Sequence, residues 1–167
     1  NSESDTVSIV AASLSVAQTL ELPRGSRPFG IVFDPTGTRA FIALEFGGRI
    51  LQLHPLTGDL ISSVHVGLHV RHLSINAAGT KLLAARFITP PLPGEHTASP
   101  QSSLNGISYG GEVIVLRPST LAILSTNILH HSEQPDTSNS AHGIPNYLGA
   151  AAISPDGLSA WIPSKQD

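Results

Sequence analysis

One short pattern occurs three times along the chain: an apolar segment, a turn built on glycine, and a second apolar segment. Phe33-Asp34-Pro35-Thr36-Gly37-Thr38-Arg39-Ala40-Phe41-Ile42-Ala43 returns as Ile75-Asn76-Ala77-Ala78-Gly79-Thr80-Lys81-Leu82-Leu83-Ala84-Ala85, and again as Ile153-Ser154-Pro155-Asp156-Gly157-Leu158-Ser159-Ala160-Trp161-Ile162-Pro163. Each copy reads as a β-hairpin, because Asp, Asn, Pro and Gly favour tight turns while the flanking residues favour strands. A sequence that repeats one hairpin must pack the copies against each other, since no copy buries its own apolar face.

Between the hairpins lies a second recurring unit. Gly48-Arg49-Ile50-Leu51-Gln52-Leu53-His54-Pro55, followed by Thr57-Gly58-Asp59 and residues 60–66, has a counterpart in Gly111-Glu112-Val113-Ile114-Val115-Leu116-Arg117-Pro118 and residues 121–129. A third version opens the chain at residues 6–11 and 14–22. Gly37 and Gly79 are 42 residues apart, which suits one four-stranded β-propeller blade of about 40–45 residues. Gly157 follows Gly79 by 78 residues, nearly two periods with only one further copy, so the excess is insertion. Residues 88–110 and 132–147 are rich in Pro, Ser, Asn and Gly and lack apolar periodicity, which places the insertions there.

With strands lettered a to d outward from a propeller axis, the chain reads c-d, a-b-c-d, a-b-insertion-c-d, a-b. The expectation is an all-β propeller fragment of two full blades and two half blades. Residues 1–23 form the outer pair of a first blade, 24–67 a second blade, 68–131 a third with its insertion at 88–110, and 132–167 a loop with the inner pair of a fourth. Regular short strands also build sandwiches, but the fixed period disfavours that reading. Both chain ends look cut, at the b-to-c points, and the chain contains no Met to start from.

Composition excludes several classes of function. A formal charge of -3 with no run of either sign offers no electrostatic footprint for nucleic acid. No apolar stretch reaches the roughly 20 residues of a membrane-spanning helix. With no Cys, disulfides, thiolate metal sites, thiol nucleophiles and the C-x-x-C-H haem attachment motif are absent from this sequence. No Ser sits in a G-x-S-x-G elbow, and Gly47-Gly48 and Gly110-Gly111 introduce strands, not the helix a phosphate loop needs. No cofactor and no catalytic residue are expected of this segment.

Arg27-Pro28-Phe29-Gly30-Ile31, the turns Asp34-Pro35-Thr36-Gly37 and Ser154-Pro155-Asp156-Gly157, and Leu56-Thr57-Gly58 before an outer strand resemble the YVTN-type β-propeller repeats of bacterial and archaeal surface-layer and cell-surface proteins. The resemblance covers nearly the whole chain outside the insertions. It departs at Asn76-Ala77-Ala78, which lacks the Pro-Asp pair. The closing residues Pro145-Asn146-Tyr147-Leu148-Gly149-Ala150 and Trp161-Ile162-Pro163-Ser164-Lys165-Gln166-Asp167 are similar to bacterial propellers that accompany a di-haem peroxidase-like domain. The resemblance implies an extracellular, cell-surface or periplasmic protein.

In a propeller the d-to-a and b-to-c connections emerge on one face and the hairpin turns on the other. Aligning the turn glycines makes Arg27, His69 and Tyr147 equivalent, just before strand a, with Phe29, Arg71 and Gly149 two residues on. These positions ring the mouth of the central channel. Both insertions join that face, where long loops on a rigid scaffold concentrate binding residues. The candidate ligand-binding face therefore collects Arg27, His69, Arg71, His72, His142, Asn146 and Tyr147, with His96 and Tyr109 from the loops. Its donors suit an anionic group or a polar chain.

Plainer roles compete at several positions. His69 and His72 have H-x-x-H spacing, yet in strand or loop geometry the rings diverge and no third ligand is placed, so no metal is expected. Asp34, Asp59 and Asp156 read as turn residues capping backbone donors. Phe29, Ile31, Phe33, Phe41, Leu51, Leu53 and Trp161 read as core between blades.

The function expected is that of a non-catalytic propeller module engaging a protein, a glycan or a partner redox domain through its loop-rich face. The alternative is part of an enzyme, a haem-linked oxidoreductase or lactonase-like hydrolase, whose active site needs further blades or an attached haem domain. Two copies, each contributing three blades' worth of strands, would close a six-bladed ring.

Overall fold

The structure, a computed structural model, describes residues 1–90, 94, 101, 103–129, 145–154 and 156–166. Among them every regular element is a strand: β1 (Thr6–Val10), β2 (Val16–Glu21), β3 (Pro28–Phe33), β4 (Ala40–Leu44), β5 (Arg49–Leu53), β6 (Leu60–His65), β7 (Val70–Ile75), β8 (Leu82–Arg86), β9 (Ser103–Leu104), β10 (Ile107–Ser108), β11 (Gly111–Arg117), β12 (Ala122–Leu129), β13 (Pro145–Leu148), β14 (Ala152–Ile153), β15 (Ala160–Trp161) and β16 (Ser164–Gln166). Two four-stranded antiparallel sheets, β3-β4-β5-β6 and β7-β8-β11-β12, form the full blades. The hairpin β1-β2 is the outer half of one flanking blade. The inner half of the other is split, with β13 pairing β16 and β14 pairing β15. The insertion between β8 and β11 carries a small hairpin of its own, β9-β10.

The repeated turns share one hydrogen-bond scheme despite different residues. Gly37, Gly79 and Gly157 adopt φ of 70°, 67° and 71°, a left-handed conformation that glycine reaches without a Cβ penalty. Their N–H groups donate to the carbonyls of Asp34, Asn76 and Ser154. The N–H groups of Arg39, Lys81 and Ser159 are then satisfied by the side chains of Asp34, Asn76 and Ser154 respectively. Asn76 thus does the work of Asp34, so losing the Pro-Asp pair leaves the turn intact. Asp156 accepts from the Leu158 N–H, whereas Asp59 accepts from the Thr57 hydroxyl.

Alternation along the strands feeds three cores, one at each junction. Phe41, Ala43, Ile50, Val70, Leu73, Leu82, Ala84, Ile114 and Leu116 fill the space between the two full blades. Ile42, Leu44, Leu51 and Leu53 face the other way and pack on Val7, Leu20 and Leu22 of the β1-β2 side. Leu83, Ala85 and Val113 pack on Leu148 and Ala151. Neighbouring inner strands nearly touch: a Cβ on Gly30 would stand 2.1 Å from the Arg71 carbonyl oxygen.

The inter-blade reading holds for Phe41, Leu51 and Leu53 but not for Phe29, Ile31, Phe33 and Trp161, which are 47%, 48%, 53% and 76% exposed. Ile31 and Phe33 line a groove of about 520 Å³ with Val7, Ile9, Leu20 and Leu56. Among the described residues no inner pair of the β1-β2 blade stands beside β3, and none of them covers that flank. An alternating strand buries both faces only where both neighbours are present.

Candidate functional site at the channel mouth

Three non-glycine residues at repeat-equivalent positions share a left-handed backbone: Arg27 (φ 51°), His69 (φ 63°) and Tyr147 (φ 50°). Such a conformation costs an ordinary residue about 1–2 kcal/mol and persists only where surrounding contacts enforce it. The enforcing contacts are a chain of backbone hydrogen bonds along the rim. The Glu45 N–H donates to the Arg27 carbonyl (3.0 Å), the His69 N–H to the Glu45 carbonyl (2.7 Å), the Phe87 N–H to the His69 carbonyl (2.7 Å) and the Leu148 N–H to the Phe87 carbonyl (3.3 Å). At the near end the Arg27 N–H donates to the Asp5 carboxylate, which also accepts from the Gly25 N–H. These N–H donors, foremost that of Arg27, hold the Asp5 carboxyl below the usual carboxylate range. The rim thus strings both full blades and the two half blades together.

Beneath the rim lies Glu45, 1% exposed. Arg71 donates from Nε to Glu45 Oε1 at 2.7 Å, and Arg27 Nε stands 3.4 Å from Oε2. His69 Nδ1 lies 3.9 Å from Oε1. Oε2 is buried with no hydrogen-bond partner among the described residues, so Arg27 faces it as a charge without locking onto it. Two guanidiniums around one carboxylate leave the cluster net positive.

Aromatic rings fix the cations from the sides. The Arg71 guanidinium lies 3.5 Å from the Phe87 ring centroid and 4.9 Å from that of Phe29, and Arg27 lies 4.8 Å from that of Phe46. His69 meets Phe46 edge-on, His72 meets Phe29 and Tyr147 meets Phe87. Arg71 reaches its place because β7 bulges there: Val70 pairs Arg86 and His72 pairs Ala85, leaving Arg71 between them. A bulge of this kind re-aims a side chain out of the strand's alternation. Burial of the His72 ring, reinforced by the Arg71 charge and opposed by that of Glu45, pushes its pKa below the usual histidine value.

Of the residues expected at the mouth, the structure gathers Arg27, His69 and Arg71 around Glu45, sets His72 against Phe29, and joins Tyr147 to the group through Phe87. Asn146 is placed by its backbone, pairing Lys165. His142 and His96 lie outside the described residues. Tyr109, just before β11, makes none of the contacts above. Reading the sequence for donors missed Glu45, Phe46 and Phe87. The signal was present: Glu45 and Phe87 are 42 residues apart, each one residue beyond strand b, at the end where strand a begins. Among the described residues no group of three His, Asp or Glu side chains is arranged to hold a metal ion.

No family model matches the sequence, and no curated protein does. Solved structures with a propeller-like fold do match in shape. They include Kuenenia stuttgartiensis hydrazine synthase (15% identity, 90% of this chain and 32% of that one, TM-score 0.56). Dihydro-heme d1 dehydrogenase NirN in complex with DHE also matches (15%, 98% and 28%, 0.62). So does a putative 6-phosphogluconolactonase from Bacteroides fragilis (17%, 86% and 33%, 0.56). At such identities the likeness shows the fold alone. The chain spans about a third or less of each of these structures.

Proposed function

We propose that this chain is a binding segment of a β-propeller, of the YVTN repeat type, in a secreted, periplasmic or cell-surface protein. It engages a partner through the face bearing the channel mouth and the two insertions. The observation that carries this reading is the Glu45 cluster, a buried carboxylate hydrogen-bonded to Arg71 with Arg27 and His69 within ion-pair distance on a strained rim. Strain and buried charge cost stability, and such costs collect where a surface is built to recognise something. A photo-crosslinking residue at His69 and another at Thr38, on the hairpin-turn face, test it in the native envelope extract. Capture at position 69 and not at 38 supports the reading; capture at 38 alone overturns it.

The open flank beside β3 supports a second element of the proposal, association with another copy. Ile31, Phe33 and Leu56 are exposed there, and the split inner half of a second chain, β13-β16 with β14-β15, supplies the strands that a blade built on β1-β2 needs. Two copies joined in this way close a six-bladed ring. Sedimentation velocity over rising concentration should show a dimer that Phe33→Glu abolishes; a monomer throughout removes this element.

A further inference from the structure

Resting on the mouth as the binding face, we propose that its ligand group is a carboxylate, gripped by Arg27 and Arg71. The charge of the cluster selects the class. Glu45 neutralises one of the two guanidiniums, leaving a single positive charge that a monoanion balances and a dianionic phosphate would overshoot. The approach to Arg71 selects the shape. At 3.5 Å from its centroid, Phe87 covers a face of the guanidinium, and Phe29 lies 4.9 Å away, so the in-plane N–H edge is the side left to a ligand. That is the approach of a planar carboxylate in side-by-side pairing.

Glu45 meets Arg71 through Nε, so the contact does not use the terminal nitrogens that form the fork. Arg27 is the more accessible of the two, its side chain 38% exposed against 19% for Arg71. Its Nε, at 3.4 Å from an oxygen that accepts no hydrogen bond among the described residues, is the guanidinium free to swing toward an incoming group. Glu45 and Arg71 act as the fixed half of the grip and Arg27 as the closing half. Phe46 lies 4.8 Å from the Arg27 guanidinium and offers it a cation–π contact.

The test is NMR of the whole chain, following the arginine Nε–H resonances during titration with sodium acetate, against sodium chloride and inorganic phosphate at matched ionic strength. Acetate is expected to shift Arg27 and Arg71 saturably, chloride not, and Arg27→Ala to weaken acetate binding about tenfold. Arg71→Lys, which keeps the charge and loses the fork, is expected to weaken it similarly. An N-acetylglutamate amide arm tells a protein side chain from a free acid: tighter binding than acetate assigns the carboxylate to a polypeptide, equal or weaker binding to a small molecule. Tighter binding of phosphate than of acetate overturns the class. Unmoved Nε–H resonances overturn the site. Either failure leaves the crosslinking result at His69 standing, so the loss of the ligand class is told apart from the loss of the binding face.

Discussion

Glu45 is the residue on which the mouth depends, because it is the only carboxylate facing two guanidiniums among the described residues and it is nearly sealed from water. Removing one partner of a buried ion pair strands the others and costs about 3–5 kcal/mol where burial is complete. Arg27 is partly exposed, so Glu45→Gln should cost less, about 2 kcal/mol, in chemical denaturation. A cost near zero would mean that the cluster does not hold the rim. Gly30 is a sterner test of the packing. The atom its Cβ would strike is a backbone oxygen of the next blade, which cannot rotate away. Gly30→Ala should therefore lower stability by about 2–3 kcal/mol and broaden the Arg71 signals, while unchanged stability would show that the inner strands are less closely apposed. Neither residue announced itself in the sequence. A lone Glu between a strand and two glycines reads as a turn, and the clash at Gly30 depends on a neighbour 41 residues away.

At the level of elements, the hairpins were legible because their chemistry is local. Asp34, Asn76 and Ser154 each satisfy a backbone N–H within the same turn, so composition and spacing suffice. Asp34→Ala should cost about 1 kcal/mol through the loss of that cap, seen as a lower midpoint with an unchanged denaturant slope. Burial alone would raise the Asp34 pKa, but hydrogen bonds from Thr36, Arg39 and Thr38 outweigh it and hold it low. The Ser154 hydroxyl and the Leu158 N–H do the same for Asp156. A carboxyl with a lowered folded pKa stabilises the fold above its unfolded value, here 3.8, and the contribution is lost as pH falls through the folded pKa. Stability should hold near pH 5 with respect to these groups and decline below about pH 4. His72 on β7 adds a separate step. Its folded pKa is also lowered, so the unfolded chain takes up the proton first and stability falls as pH drops below the ordinary histidine value of 6.5. Thermal melts between pH 7.5 and 5.5 should show this decline in the native chain and a smaller one in His72→Gln. The bulges at Arg71 and at Phe29-Gly30, where the pairing of β3 with β4 skips from Pro28 to Ile31, were not legible, since the alternation of a strand gives no sign of where it will be broken.

Across the whole molecule, the four-stranded antiparallel sheets were legible in the 42-residue step between turn glycines, a period that suits one blade. The exposure of Phe29, Ile31, Phe33 and Trp161 did not follow, because an apolar side chain in a strand reports a demand for a neighbour and not the neighbour's presence. The alignment of Arg27, His69 and Tyr147 carried further than the residue types did: all three are left-handed, and the hydrogen bonds that hold them run from blade to blade. That continuous rim is the frame on which the proposed binding face and the proposed arginine grip are built. Native-state hydrogen exchange tests it most directly at the Glu45, His69 and Phe87 amides, which bond along the rim and belong to no strand. Exchange as slow as that of the β4 and β8 interiors, rising together when Glu45 is changed to Gln, is the predicted result; exchange of the His69 amide at the rate of an unstructured peptide would contradict it.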